Sequence, residues 1–98
     1  GRYEDDSDFN GTGFREKHLM PALMKLIDND DDKLLIDLEG TYGCDPSFLE
    51  EAFGGMVREL KKLGIDFQEL WKTRVIVKGS NEAESFAIDS YISDALDA

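Results

Sequence analysis

The sequence predicts an α/β fold, a small sheet with helices packed on it, and two observations carry that expectation. Apolar residues recur at helical spacing in three segments, and between those segments stand two short aliphatic runs, Leu34-Leu35-Ile36 and Val75-Ile76-Val77. The resulting order of helix, strand, helix, strand, helix belongs to layered α/β architectures. At 98 residues the chain is expected to be a single domain over 1–98, since a core of this size buries roughly two-thirds of the surface of the unfolded chain. No internal repeat or low-complexity segment appears.

Each element has a local reason. Arg2 to Asn10 is polar and acidic and reads as an extended or looped segment after a short strand; the chain opens at Gly1 without Met, so a further N-terminal strand is one reading of what precedes it. From Gly13, Phe14, His18, Leu19, Ala22, Leu23, Leu26 and Ile27 give an amphipathic helix to about Asp28. Pro21 lacks the N–H that would bond the Lys17 carbonyl, which predicts a kink or a new helical start there. Asn29 to Asp32 is an acidic turn, and it lacks the ligand spacing of an EF-hand calcium loop. Lys33 to Leu38 is the first strand, with consecutive aliphatics expected to be covered at least partly on both faces. The second helix, about Pro46 to Leu63, is the clearest element: Leu49, Ala52, Phe53, Met56, Val57, Leu60 and Leu63 form one stripe, and Gly64 supplies the stop. Gly54 and Gly55 inside it each cost about 1 kcal/mol against Ala, which predicts close approach by a neighbouring element. A partly helical connection holding Phe67, Leu70 and Trp71 leads to the second strand, about Thr73 to Lys78. The last helix covers about Glu82 to Leu96, with Phe86, Ile88, Tyr91, Ile92, Ala95 and Leu96 as its apolar set.

Composition narrows the function classes. The apolar runs are far shorter than the ~20 residues of a membrane span, the lone Cys44 forms no internal disulfide, and no secretory signal pattern opens the chain, so a cytoplasmic, soluble protein is expected. The net charge of −11 argues against nucleic acid as a direct ligand and against anionic membrane, because phosphate binding needs a basic surface. The acidity sits at the ends: nine acids against four bases in residues 1–32, eight against seven in 33–79, and five against none in 80–98. Such a surface keeps a domain soluble, steers basic partners, or mimics nucleic acid.

The stretch Thr41 to Glu59 holds the candidate chemistry. It carries polar groups from a strand end to a helix N-terminus, a common place for recognition or phosphate chemistry and also the pattern of a well-capped helix. Asp45 as N-cap puts Pro46 at the favoured first helical position, whereas Ser47 as N-cap makes Glu50 the partner in an S-x-x-E capping box. A hydroxyl at Ser47 is also where an added phosphate meets the positive end of the helix dipole, opposed by Glu50 and Glu51. Cys44, before the helix, has the setting of a lowered thiol pKa, but the one histidine, His18, lies in another helix, so a structural thiol is preferred to a Cys–His dyad. One Cys and one His exclude the usual structural zinc sites. Asp37 and Glu39 alternate across the strand, and no Gly-rich phosphate loop accompanies them, so solvated carboxylates are preferred to a Mg²⁺ site.

Gly1-Arg2-Tyr3, Phe14-Arg15-Glu16, Pro21, Ile36-Asp37-Leu38-Glu39-Gly40 and above all Ser47-Phe48-Leu49-Glu50-Glu51-Ala52-Phe53-Gly54-Gly55 resemble a bacterial family of small STAS-like domains of unknown function. The likeness covers nearly the whole chain and is distantly similar to anti-sigma-factor antagonists. It implies a small mixed sheet with helices mainly on one face, and a role in binding protein partners such as a regulatory ATPase or kinase. The antagonists carry D-S-S-G-L after the central strand, with one serine phosphorylated to control partner release; here the stretch is D-P-S-F-L. Asp45 and Ser47 match, Pro46 replaces the first serine and Phe48 the glycine. The expectation is a non-enzymatic interaction domain without cofactor or metal. Its partner docks over the loop and first turn of helix two: Tyr42 is an aromatic anchor, Pro46 shapes the turn, Asp45, Glu50 and Glu51 pair with basic residues, and Ser47 is a phosphorylation point. The alternatives are a small hydrolase or phosphotransfer protein using Cys44, Ser47 or Asp37, and an acidic decoy that occupies a nucleic-acid-binding protein.

Overall fold

Helix formation begins where Asn10, in extended conformation, accepts a 2.6 Å hydrogen bond from the Gly13 N–H, satisfying one of the free donors of a first helical turn. The structure, a computed structural model, describes residues 10–29, 32–38 and 46–98. The short strand expected before Asn10 lies outside them. Helix α1, residues 11–28, has three parts: α-helical Gly11–Phe14, a wide π turn over Arg15–Leu19, and α-helical Met20–Asp28. Pro21 accounts for the change. The Met20 N–H donates to the Arg15 carbonyl, five residues back, so the new α segment starts just before a proline that has no donor to offer. The chain therefore restarts its α-helix near Pro21 and remains helical through it.

Strand β1, Leu34–Asp37, pairs in parallel with strand β2, Val75–Lys78, with Leu34 opposite Val75 and Asp37 opposite Lys78. Among the described residues the ladder holds these two strands alone. Ile36 is buried and Leu34, Val75 and Val77 are half-buried under the helices, while the neighbouring pair Leu35 and Ile76 is 55% and 52% exposed. The consecutive aliphatics are thus not covered on both faces. Side chains alternate along a strand, and the helices occupy one side.

Helix α2, residues 46–62, is built like α1: Pro46–Leu49, a π turn over Glu50–Gly54, and Gly55–Lys62. The expected stripe is buried from Leu49 to Leu60, and Phe48 joins it. Leu63 does not: it stands at the C-cap, 60% exposed, before Gly64 at φ 73° turns the chain away. Helix α3, Gln68–Arg74, fills the connection and shortens the second strand at its start; helix α4, Glu82–Asp97, follows Asn81. The Asn81 side chain accepts from Glu84 N–H at 2.7 Å, and the Glu84 carboxylate accepts from Asn81 N–H at 2.9 Å, a reciprocal cap. Ile88, Ile92 and Ala95 face inward, but Phe86 is 75% exposed. Two residues advance a helix by roughly 200°, so Phe86 lies nearly opposite Ile88 and cannot share its face.

The core sits on α2. Phe53, Leu49, Met56, Val57 and Leu60 of this helix are fully buried together with Leu19 and Leu23 of α1, each burial stabilising by roughly 1.5–3 kcal/mol. Phe14 meets Phe48 and Phe53 at ring-centroid distances of 5.6 and 6.5 Å, and Trp71 of α3 meets Phe53 edge-on at 6.0 Å. Long cations tie down the helix ends. Arg74 donates to the carbonyls of Leu26, Asn29 and Asp32. Lys61 Nζ donates to those of Ala95, Leu96 and Ala98 at 3.1, 3.2 and 2.6 Å, which suits a cation at the negative end of a helix dipole. Because α4 packs along all three parts of α2 and their C-terminal ends are joined through Lys61, the two helices run parallel.

Candidate interaction site

Parallel strands followed by parallel helices place both strand C-termini and both helix N-termini at one end of the domain, the end where such folds gather their recognition groups. Asp37 closes β1 and Pro46 opens α2; Lys78 closes β2 and Glu82 opens α4. Of the expected partner-binding residues, Tyr42 and Asp45 lie outside the described residues, as do Cys44 and Glu39. Pro46 and Ser47 are exposed on the first turn of α2, above the buried Phe48 and Leu49. Glu50 and Glu51 follow, both half-buried.

The capping box expected of Ser47 and Glu50 is not formed. Pro46 and Ser47 are already helical, so Ser47 lies inside the helix and not at its N-cap. Glu50 turns instead to Arg58, whose Nη1 and Nη2 approach its carboxylate oxygens at 2.7 and 3.4 Å. The intervening π turn explains the pairing, since a wider turn rotates less per residue and brings positions eight apart onto one face. Hydrogen bonding to Glu50 raises the Arg58 pKa further above its ordinary value, with burial opposing and the Glu50 charge adding. Glu51 looks the other way. Its carboxylate accepts from Thr12 Oγ1 at 3.1 Å and its backbone carbonyl accepts from Arg15 Nη1.

Arg15 is a residue that helical periodicity does not reveal. Only 15% of its side chain is exposed; its Nε stands 3.5 Å from Glu59 Oε2, an ion-pair distance without a hydrogen bond, and a second pair reaches Glu16 at 3.9 Å. The Arg15 side chain lies against Gly55, where a Cβ would clash with its Nη1, and at Gly11 a Cβ would stand 2.6 Å from Glu51 Cβ. Gly55 thus answers to a neighbour as its position in mid-helix predicts. At Gly54 the adjoining space is taken by Glu50 and Arg58 of the same helix. Sequence offered one signal for this crossing, a glycine where a helix former belongs, but nothing to say which side chain uses the gap.

His18 is exposed, its ring centroid 6.0 Å from that of Phe14. Asp37 is exposed across the ladder from Lys78. Among the described residues no cluster of three His, Cys, Asp or Glu side chains could hold a metal ion, and no helix is long and apolar enough to cross a membrane. A shallow apolar groove between α3 and α4 is lined by Phe67, Gln68, Trp71, Lys72, Ile92 and Leu96.

The family model of the STAS-like domain of unknown function (DUF4325) matches residues 10–83. No curated protein and no solved structure matches the chain. The match spans most of the sequence, from the cap of α1 through both strands to the start of α4, and the chain belongs to this family.

Proposed function

We propose that this STAS-like domain is a non-enzymatic regulatory module, cytoplasmic and bacterial, that binds a protein partner over the first turn of α2 and the loop leading into it. The observation that carries the reading is the contrast within that turn: Pro46 and Ser47 are exposed while the next two residues, Phe48 and Leu49, are buried. A turn so anchored presents its outer residues in one geometry, which lowers the ordering cost of binding. Tyr42 and Asp45 belong to the same proposed surface by sequence. Glu50 contributes by exchanging Arg58 for a basic group of the partner; its present pair is about half-exposed on both sides and weak for that reason. Glu51, held by Thr12, sets the edge of the surface.

Ser47 is the proposed control point. A phosphate there meets the positive end of the α2 dipole, but it also meets Glu50 and Glu51 within one turn. The added charge changes the field that the turn presents to the partner's basic residues without unfolding the helix. The partner proposed is a regulatory ATPase or kinase. The test is affinity capture from a bacterial lysate with the unmodified chain, Ser47→Asp, Ser47→Ala and Glu50→Lys. A partner retained by the unmodified and Ser47→Ala chains, lost from Glu50→Lys and retained to an altered degree by Ser47→Asp is expected. Equal retention by all four sinks the reading.

A further inference from the structure

Helix α4 carries apolar side chains on two opposite sides. Its inner side, Ile88, Ile92 and Ala95, is buried against α2, and its outer side carries Phe86, 75% exposed and the most exposed of the large apolar residues described. An aromatic ring held out in water is uncommon in a domain whose other six aromatics described here, Phe14, Phe48, Phe53, Phe67, Trp71 and Tyr91, are buried or half-buried. Phe86 is not alone on its face. Glu82, Asp89, Ser93 and Asp97 recur at the same helical spacing, all exposed, so the outer stripe sets one ring among three carboxylates and a serine. The last nineteen residues contain five acids and no base, so no cation of this helix neutralises the stripe. Lys61 is committed to carbonyls at the C-terminal end of α4.

From this juxtaposition we infer that the outer face of α4 is a second docking surface, distinct from the first turn of α2, and that its occupant is a cationic segment of a protein partner carrying an apolar pocket for the Phe86 ring. Charge selects the occupant. A second copy of this chain would bring the three carboxylates of this face against three, and anionic lipid or nucleic acid would be repelled as well. A basic segment is steered in by the carboxylates and held by the ring, the usual division of labour between a polar rim and an aromatic anchor. Because the inner side of α4 lies against α2, its outer side points away from it, and the two surfaces can be tested separately. The family match ends at residue 83, so Phe86 lies outside the matched residues.

The test titrates the full ¹⁵N-labelled chain with a synthetic lysine–leucine amphipathic peptide, and in parallel with an oligolysine of equal charge. The amphipathic peptide is expected to bind at least tenfold more tightly, with amide shifts centred on residues 82–97. Phe86→Ser, at an exposed position and hence neutral to folding, is expected to reduce its affinity to that of oligolysine, while Ser47→Asp leaves it unchanged. The inference is overturned if Phe86→Ser binds as tightly as the parent, if the shifts centre on another face, or if sedimentation shows Phe86 driving self-association instead.

Discussion

At the scale of single residues, the crossing of α1 and α2 depends on one arginine and the glycine beneath it. Alanine in place of a helical glycine ordinarily stabilises by about 1 kcal/mol. At Gly55 the added methyl displaces the Arg15 guanidinium, breaking its bond to the Glu51 carbonyl and moving its charge from Glu59. Gly55→Ala is therefore expected to destabilise, by about 1–3 kcal/mol, in urea unfolding. In an Arg15→Ala background the same substitution is expected to regain its ordinary stabilising sign, because the three atoms nearest to the added methyl all belong to the Arg15 side chain. A double-mutant cycle reads that reversal as a coupling energy; additive effects would mean that the guanidinium does not occupy the gap. The Glu50–Arg58 pair behaves differently. Its folded-state effect on Arg58 raises a pKa that already lies far above neutrality, so that contribution is fully present below the ordinary arginine value and is lost only in strong base.

Among the elements, α2 was legible because its apolar residues keep a helical period and end at a glycine. The phase of α4 was not, because Phe86 lies only two residues from Ile88 and looks like part of the same cluster until rotation about the axis is counted. The π turns left no direct trace, although Pro21 marks where one is needed. The strands were recognised by composition, yet their aliphatics did not tell which face is covered. Position within the ladder decides that: Ile36, opposite Val77, faces the helices, and Ile76, opposite Leu35, faces outward. Ile36→Ala is expected to cost about 2–4 kcal/mol, as truncations in packed cores do, whereas Ile76→Thr stays within about 0.5 kcal/mol, as exposed substitutions do. Chemical denaturation of both variants measures the contrast. Equal costs would mean that the outer face of the ladder is packed as tightly as the inner one. Of the candidate site, sequence located the turn at Pro46 and Ser47, but not the diversion of Glu50 to Arg58, since a pair eight residues apart aligns only when a π turn lies between.

The whole molecule carries twice as many acids as bases, 22 against 11, and this imbalance reaches beyond either proposed surface. Self-repulsion among like charges opposes the compact state and is relieved by salt within a Debye length of about 10 Å at 0.1 M. The described ion pairs pull the other way, but Glu50–Arg58 is about half-exposed and Arg15–Glu59 is long, so screening them costs little. Repulsion therefore dominates, and the melting temperature is expected to rise as sodium chloride is raised from about 10 to 300 mM. Each kcal/mol of relieved repulsion corresponds to about 4–8 °C in a domain of this size. The same screening should slow association with a basic peptide at the α4 face, because the field that steers it is the field that strains the fold. Scanning calorimetry and stopped-flow binding over one salt series read the two effects together. A melting temperature that falls with salt would mean that the ion pairs, and not the excess of carboxylates, govern the electrostatics of the domain.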